Sequence, residues 1–364
     1  MSGRVINFSA GPAALPLTAL ERAQAEFLEY PGAGASVMEI SHRSKEFLEI
    51  HARAKENIKA LLNVPEGYHV LFIQGGATMQ FSMLALNLLR DSGKPANYLT
   101  TGSWGSKAIK EAAKEGEAKE LWSGKADNFI RTPNADEYTV DANAAYLHFT
   151  SNETIQGVQY QSEPDAGNAP LICDMSSDFL SRPLDISKYA LIYAGAQKNI
   201  GPAGVAAVIV RDDMLGKAPA GLPSLLDYKV MADGDSLYNT PPSFAVYMIA
   251  LVTDWLRNDI GGIEKIAGVN EQKAKCLYDQ IDGSDGFYIG HAVPECRSRM
   301  NVAFRLQDSE LDAVFVDEAK AQGLASLKGH RSVGGMRASI YNAMPLEGAQ
   351  ALAAFMEDFK SRKG

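Results

Sequence analysis

Cysteine is scarce in this 364-residue chain: three residues, Cys173, Cys276 and Cys296, far apart and with no CxxC spacing. An odd number without a framework argues against a disulfide scaffold and a structural zinc, and predicts a reduced, cytoplasmic protein with no metal site. Long apolar runs are also missing. Stretches such as YALIYAGA and GVAAVIV are too short to span a bilayer. The opening residues MSGRVINFSAGPAALP hold no basic stretch followed by an apolar run, so no secretory signal is expected. Nor is there an excess of positive charge. With 35 basic and 44 acidic residues the net charge is −9, which disfavours a nucleic-acid partner, since a phosphate backbone wants a basic face. Internal repeats and low-complexity linkers are absent as well.

The chain does have an ordinary globular composition, 46% apolar and 22% charged. At roughly 150 residues per domain its length suggests two domains. From Ser44 to Leu62, Phe47, Ala54, Ile58 and Leu61 recur at helical spacing, with Asn63 and Pro65 as stop signals. YHVLFI (68–73) reads as a buried strand, Gln74-Gly75-Gly76 as a turn, and Ala77 to Leu89 as a helix. That is the opening of a βαβ unit. Short apolar runs at 97–100, 145–149, 170–173 and 190–194 continue the alternation of a largely parallel sheet. Between YALIYAG and GVAAVIV only Ala196 to Ala203 intervene, too few for a helical crossover, so these two strands are predicted antiparallel. A helix from Ser243 to Asn258 leads to Gly261-Gly262, where the domain boundary is placed. Beyond it, helices at 264–281, 310–322 and 346–361 and strands at 300–306 and 337–340 make a small α+β domain. The expected fold is therefore α/β, with a large domain over residues 16–260, a small one over 261–364, and residues 1–15 packing against the latter.

Three groupings could carry chemistry. Gly75-Gly76-Ala77-Thr78 opens a helix, whose free N–H groups and dipole favour a phosphate. It fits neither the Walker nor the dinucleotide pattern, and a plain tight turn also explains a Gly-Gly pair. Asp174 follows the strand APLIC and Lys198 the strand ALIYAG. Both belong at the carboxyl edge of a parallel sheet, where ligands bind. A lysine and a carboxylate there suit pyridoxal phosphate, the amine forming an imine and the carboxylate keeping the ring nitrogen protonated. The plainer alternatives are an N-cap before Met175-Ser176-Ser177 and a surface lysine. The third grouping is cationic: His42-Arg43, then His330, Arg331 and Arg337 in glycine-rich surroundings. It suits carboxylate or phosphate, or is simply solvated charge.

Over nearly its whole length the sequence resembles the phosphoserine aminotransferases, class V members of the aspartate-aminotransferase fold (fold type I). The matching segments are NFSAGPAALP, SVMEISHRSKEF, SNETIQGV, DMSSDFLSRPLD, YAGAQKNIGPAG, NTPPSF, RSRMNV and LKGHRSVGGMRASIYNAMPLEG. The resemblance implies pyridoxal 5'-phosphate held by Lys198 as a Schiff base, Asp174 on the pyridinium nitrogen, Trp104 stacked on the ring and Thr154 bonded to the ring oxygen. Gln197 and the backbone at Ala77 and Thr78 would hold the cofactor phosphate. Asn239 and Thr240 would reach it from the neighbouring subunit of a homodimer.

For substrate, Arg43 and Arg337 would take the carboxylate, and His42, His330 and Arg331 the phosphate. The implied reaction is a ping-pong exchange in serine biosynthesis between glutamate and 3-phosphohydroxypyruvate, giving 2-oxoglutarate and phosphoserine. 4-Phosphohydroxythreonine, used in pyridoxine biosynthesis by some relatives, is a further candidate. One position departs from the pattern: some relatives carry arginine where this chain has Thr78. A lyase such as a cysteine desulfurase would need a nucleophilic cysteine on a mobile loop. Only Cys296 is a candidate, and the neighbouring SRMNVAF reads as an ordered strand. A non-catalytic phosphate-binding scaffold would not need Lys198, Asp174 and Trp104 together.

Overall fold

The computed structural model describes residues 3–364; Met1 and Ser2, part of the expected N-terminal segment 1–15, lie outside the described residues. Its centre is a seven-stranded sheet of β1 (Tyr68–Gln74), β2 (Ala96–Thr100), β3 (Ala118–Ser123), β4 (Tyr146–Thr150), β5 (Leu171–Asp174), β6 (Leu191–Gly195) and β7 (Val205–Arg211). The spatial order is β1-β7-β6-β5-β4-β2-β3. All neighbours are parallel except that β7 runs antiparallel to both β6 and β1. The short 196–204 link thus turns the chain back on itself, as its length required.

Both faces of this sheet are covered, which is why its strands read as continuous apolar runs. In β1, Val70 and Phe72 enter the core formed with the helices Lys45–Leu62 and Ser243–Asp254, while Leu71 and Ile73 face the core that includes Phe81 and Leu84. The alternation follows the period of two along a strand. Helix Lys45–Leu62 starts where Ser44 Oγ accepts the Phe47 N–H and stops at Asn63 in the left-handed region. Helix Ser243–Asp254 continues into a π-helical turn, Trp255–Asp259.

Several elements escaped the periodicity reading, helices Leu17–Ala25 and Tyr228–Asp233 among them, and three have a plain physical reason. Edge strand β3 (AKELWS) has charges where a buried strand has apolar residues, as sheet edges commonly do. Helix Ser103–Ala112 contains Gly105 near its start, which obscures the pattern. The short strand Tyr288–Gly290 lacks the length to show a period.

The C-terminal part is an antiparallel sheet of β8 (Tyr288–Gly290), β9 (Asn301–Leu306) and β10 (Met336–Ser339), in that order. Phe315 sits at its core, with ring centroids 5.8 Å from Phe304, 4.9 Å from Phe355 and 5.1 Å from Phe359, all edge-on. Ile6–Asn7 pairs in parallel with Leu324–Ala325, and Phe8 is buried in the same core. Among the described residues no helix is long and apolar enough to cross a membrane.

Two contacts seat this part on the large sheet near the edge that matters for function. The fully buried Lys273 amine donates to the carbonyls of Ile340 (3.0 Å), Tyr341 (2.7 Å) and Met344 (3.0 Å), fixing the turn after β10. In that turn the Asn342 N–H donates to Asn199 Oδ1 at 2.9 Å, next to Lys198. The second contact is the tight passage of Gly157 (φ +66°) beneath β9, where an added Cβ would lie 2.5 Å from the Asn301 carbonyl and 3.2 Å from the Ala303 nitrogen. Gly157→Ala should therefore destabilise the protein by about 2–3 kcal/mol, from overpacking against backbone together with a left-handed φ. Urea unfolding monitored by circular dichroism would measure it; an unchanged midpoint would mean that β9 gives way freely.

Candidate active site

The carboxyl ends of β5 and β6 converge on one pocket. Asp174 is the last residue of β5 and is paired across the sheet with Tyr193 of β6. Lys198 follows β6 by three residues. Strand direction alone places both on the same edge. A pocket of about 380 Å³ opens there, lined by Lys198, Asp174, Thr154, Gln197 and Trp104, with Ala77 and Thr78 at one side and His330 and Arg337 at another. Nine of the fourteen expected site residues thus share one cavity. His42, Arg43, Arg331, Asn239 and Thr240 do not line it.

The floor is electrostatically poised. The Lys198 amine donates to Thr154 Oγ1 at 2.7 Å and lies 5.1 Å from the centre of the Trp104 ring. Desolvation lowers its pKa below the usual lysine value; Asp174 and Glu153 oppose this, and Arg337 reinforces it. Asp174 is buried, and desolvation raises its pKa against the pull of Lys198 and Ser176. Its Oδ1 accepts from the Ser176 N–H (2.9 Å) and Oγ–H (2.6 Å). Ser176 Oγ in turn accepts from the Gly195 N–H at 3.0 Å. So Asp174 does cap a turn, as the plainer alternative had it, but with one oxygen. No described residue donates to Oδ2, which is left for a ligand.

Two helices begin at this pocket, and their N-termini are treated differently. Helix Ala77–Leu88 follows Gly75 (φ +91°) and Gly76, and no side chain caps it. A Cβ on Gly195 would lie 3.0 Å from Gln197 Oε1 and 3.4 Å from the Ala77 nitrogen, so glycine keeps the approach to those N–H groups open. An uncapped N-terminus with its dipole is an anion site. Helix Ser103–Ala112 is occupied instead: Glu153 accepts from the N–H groups of Trp104 (3.0 Å) and Gly105 (2.8 Å), and Gln156 accepts from Ser103 N–H at 3.4 Å. Burial pushes Glu153 up to about 7, while the two backbone donors and Lys198 favour its charged form.

The upper wall is cationic. Arg337, on β10, is partly buried; desolvation lowers its pKa, and its Nη1 reaches only the Thr154 carbonyl at 3.5 Å. His330 Nδ1 accepts from the Ser332 N–H at 3.2 Å, which leaves Nε2 to donate in the neutral ring. Desolvation and the charges of Arg337, Arg331 and Lys107 lower its pKa.

The sequence reading missed Glu153, Ser176 and Lys107. Their signal was only their nearness in sequence to Thr154, Asp174 and Trp104. Cys296, the one thiol considered as a nucleophile, is buried elsewhere, with Sγ 3.4 Å from both the Thr132 nitrogen and Oγ1.

The residues fit a flat, anionic, aldehyde-bearing cofactor such as pyridoxal phosphate. An amine waits above a carboxylate with a free oxygen, an aromatic ring stands beside them, and an uncapped helix start faces the cavity. The lowered pKa leaves Lys198 more neutral at pH 8 than an exposed lysine. An amine-directed reagent at that pH should modify Lys198 several-fold faster than the exposed lysines, as read by peptide mass spectrometry. Labelling at the same rate or slower would contradict the desolvated amine.

Comparison with known proteins agrees with this chemistry. The aminotransferase class-V family model matches residues 5–352. A phosphoserine aminotransferase from Laribacter hongkongensis is 56% identical over 360 residues, covering 99% of each chain. The structure of phosphoserine aminotransferase from Bacillus circulans subsp. alkalophilus superposes with a TM-score of 0.97 at 52% identity, over 100% of both chains. A phosphoserine aminotransferase from Trichomonas vaginalis with bound pyridoxal phosphate gives a TM-score of 0.92 at 41% identity, over 97% of this chain and 100% of its own.

Proposed function

This chain belongs to the class-V aminotransferase family, and we propose that it is a pyridoxal-phosphate-dependent phosphoserine aminotransferase. It exchanges an amino group between glutamate and 3-phosphohydroxypyruvate, giving phosphoserine and 2-oxoglutarate, a step of serine biosynthesis in the cytoplasm. One observation carries the reading: Lys198 and Asp174 form the floor of a pocket whose wall holds Arg337 and His330.

When bound, pyridoxal phosphate supplies the carbonyl that takes up the amino group and a protonated ring that accepts the electron pair released at the α-carbon. Lys198 holds it and, once freed, takes and returns the substrate's α-proton at Nζ. A desolvated amine is neutral often enough to do so. Asp174 Oδ2 would hold the proton at the ring nitrogen, and Ser176 keeps the carboxylate in place through Oδ1. Trp104 would cover the ring and Thr154 would orient the ring oxygen. Gln197 and the N–H groups of Ala77 and Thr78 would receive the phosphate. The backbone supplies these contacts, so a threonine at position 78 suffices.

Arg337 takes the carboxylate common to all four substrates, and its guanidinium fork suits that anion. His330, with Nε2 as donor, and Arg331 take the phosphate of phosphoserine or the distal carboxylate of glutamate in turn. An incoming dianion raises the His330 pKa and strengthens its own binding.

Asn239 and Thr240 reach the cofactor phosphate from a second copy of the chain, in a two-fold homodimer, while Arg43 joins Arg337 on the carboxylate and His42 joins His330 and Arg331 on the phosphate. Support for the second copy comes from the exposed Tyr238 beside Asn239 and from the position of Asn239 and Thr240 outside the Lys198 pocket.

Two measurements test the reading. Phosphoserine should bleach the visible band of the cofactor-loaded protein at concentrations where serine does little, and Lys198→Ala should lower turnover by at least about a thousandfold. A loaded protein that answers serine and phosphoserine alike would retain the aminotransferase and remove the phosphate pocket. His330→Ala should raise KM for phosphoserine about tenfold, a loss of roughly 1.4 kcal/mol, with less effect on glutamate. Equal losses for both substrates would contradict the role given to His330.

A further inference from the structure

Glu153 is a fully buried carboxylate beside this pocket that the reaction does not use. It has no cation within ion-pair distance among the described residues, and its two oxygens are spent on the Trp104 and Gly105 N–H groups at 3.0 and 2.8 Å. The helix makes room for it. A Cβ on Gly102 would overlap the Glu153 carboxyl group, with Oε2 at 2.6 Å, and one on Gly105 would come within 3.3 Å of Oε1. Glycines thus flank Ser103-Trp104 on both sides. The same short segment reaches the chemistry from its other end, since Thr154 accepts from the Lys198 amine and its carbonyl from Arg337. Gln156 adds a second hold, its Nε2 donating to Ser103 Oγ at 2.8 Å.

We propose that Glu153 is a positioning residue for Trp104: its carboxylate clamps the start of helix Ser103–Ala112 and so sets the ring against the cofactor that Lys198 holds. The inference rests on the cofactor reading above. Two charge-assisted bonds to consecutive N–H groups fix both the pitch and the rotation of a helix start. Among the described residues Trp104 Nε1 has no hydrogen-bond partner of its own, so no bond at the far end of the indole competes with the backbone beneath it in setting its direction. Capping by Glu153 also withdraws this N-terminus as an anion site, leaving the start of helix Ala77–Leu88 as the place for the cofactor phosphate.

A double-mutant cycle on the holoenzyme tests this. Glu153→Gln keeps the volume but offers one accepting oxygen, so one N–H loses its partner and faces an amide NH2. We expect the dissociation constant for pyridoxal phosphate, followed by its visible absorption during dialysis, to rise about tenfold. Trp104→Phe should cost a similar factor, and the double variant no more than about threefold beyond Trp104→Phe alone. Tryptophan emission should change in Glu153→Gln, and that change should vanish in the Trp104→Phe background. Gly102→Ala displaces the same carboxylate without altering its charge and should reproduce the loss, which keeps the test decisive if Glu153→Gln folds poorly. Unchanged affinity in both Glu153→Gln and Gly102→Ala would overturn the inference, as would losses that simply multiply in the double variant. If the unsubstituted protein took up no pyridoxal phosphate, the cofactor reading would fall first and this inference with it.

Discussion

Lys198 and Asp174 bring opposite charges to a place from which most water has been removed, and the rest of the site is arranged around that fact. Desolvation pushes the amine down and the carboxyl up, each toward its neutral form, while their mutual attraction works the other way. The balance is held by neighbours of fixed geometry. Ser176 ties one carboxylate oxygen to the turn after β5 and is itself tied to β6 through Gly195. The amine rests on Thr154, and Arg337 leans on the carbonyl of the same residue. A lysine left in water would be protonated; burial at the packed sheet edge favours the neutral amine.

The two helix starts beside this pair illustrate how similar local structures take different tasks. Both follow glycines, and neither is capped by its own N-cap side chain. One is left uncapped and flanked by residues without bulk, so it can receive a phosphate. The other is closed by Glu153 and Gln156, side chains from the segment that also touches Lys198. Which start binds an anion is decided by what the opposing chain places against it, since their helical geometry is the same.

The cationic wall depends on a longer chain of contacts. Arg337 belongs to the small antiparallel sheet, whose position over the pocket is set by the buried Lys273 amine on three carbonyls, by Asn342 against Asn199, and by the close passage of Gly157 under β9. These are polar or steric contacts of fixed direction, which orient one unit on another better than apolar packing does. The cationic wall is therefore held in place over the Lys198 floor, an arrangement that suits the proposed substrates with two anionic groups.

The sequence by itself determined the elements that have a period or a punctuation mark. Apolar runs bounded by turns located β1, β2 and β4 to β7, the short link after Gly195 required an antiparallel β7, and Ser44 with Asn63 bounded a helix. Strand direction also put Asp174 and Lys198 on one edge, because the carboxyl ends of parallel strands share a side. Local pattern does not carry long-range registration. Only the tertiary structure decided that β5 and β6 are neighbours, that Asp174 caps a turn with one oxygen and keeps the other free, and that Glu153 closes the helix bearing Trp104. It also separated His42, Arg43, Arg331, Asn239 and Thr240 from the nine residues that meet in the pocket. Side chains that act through a hydrogen bond to distant backbone leave no periodic trace in the chain. Their role exists only once packing has brought donor and acceptor to within 3 Å.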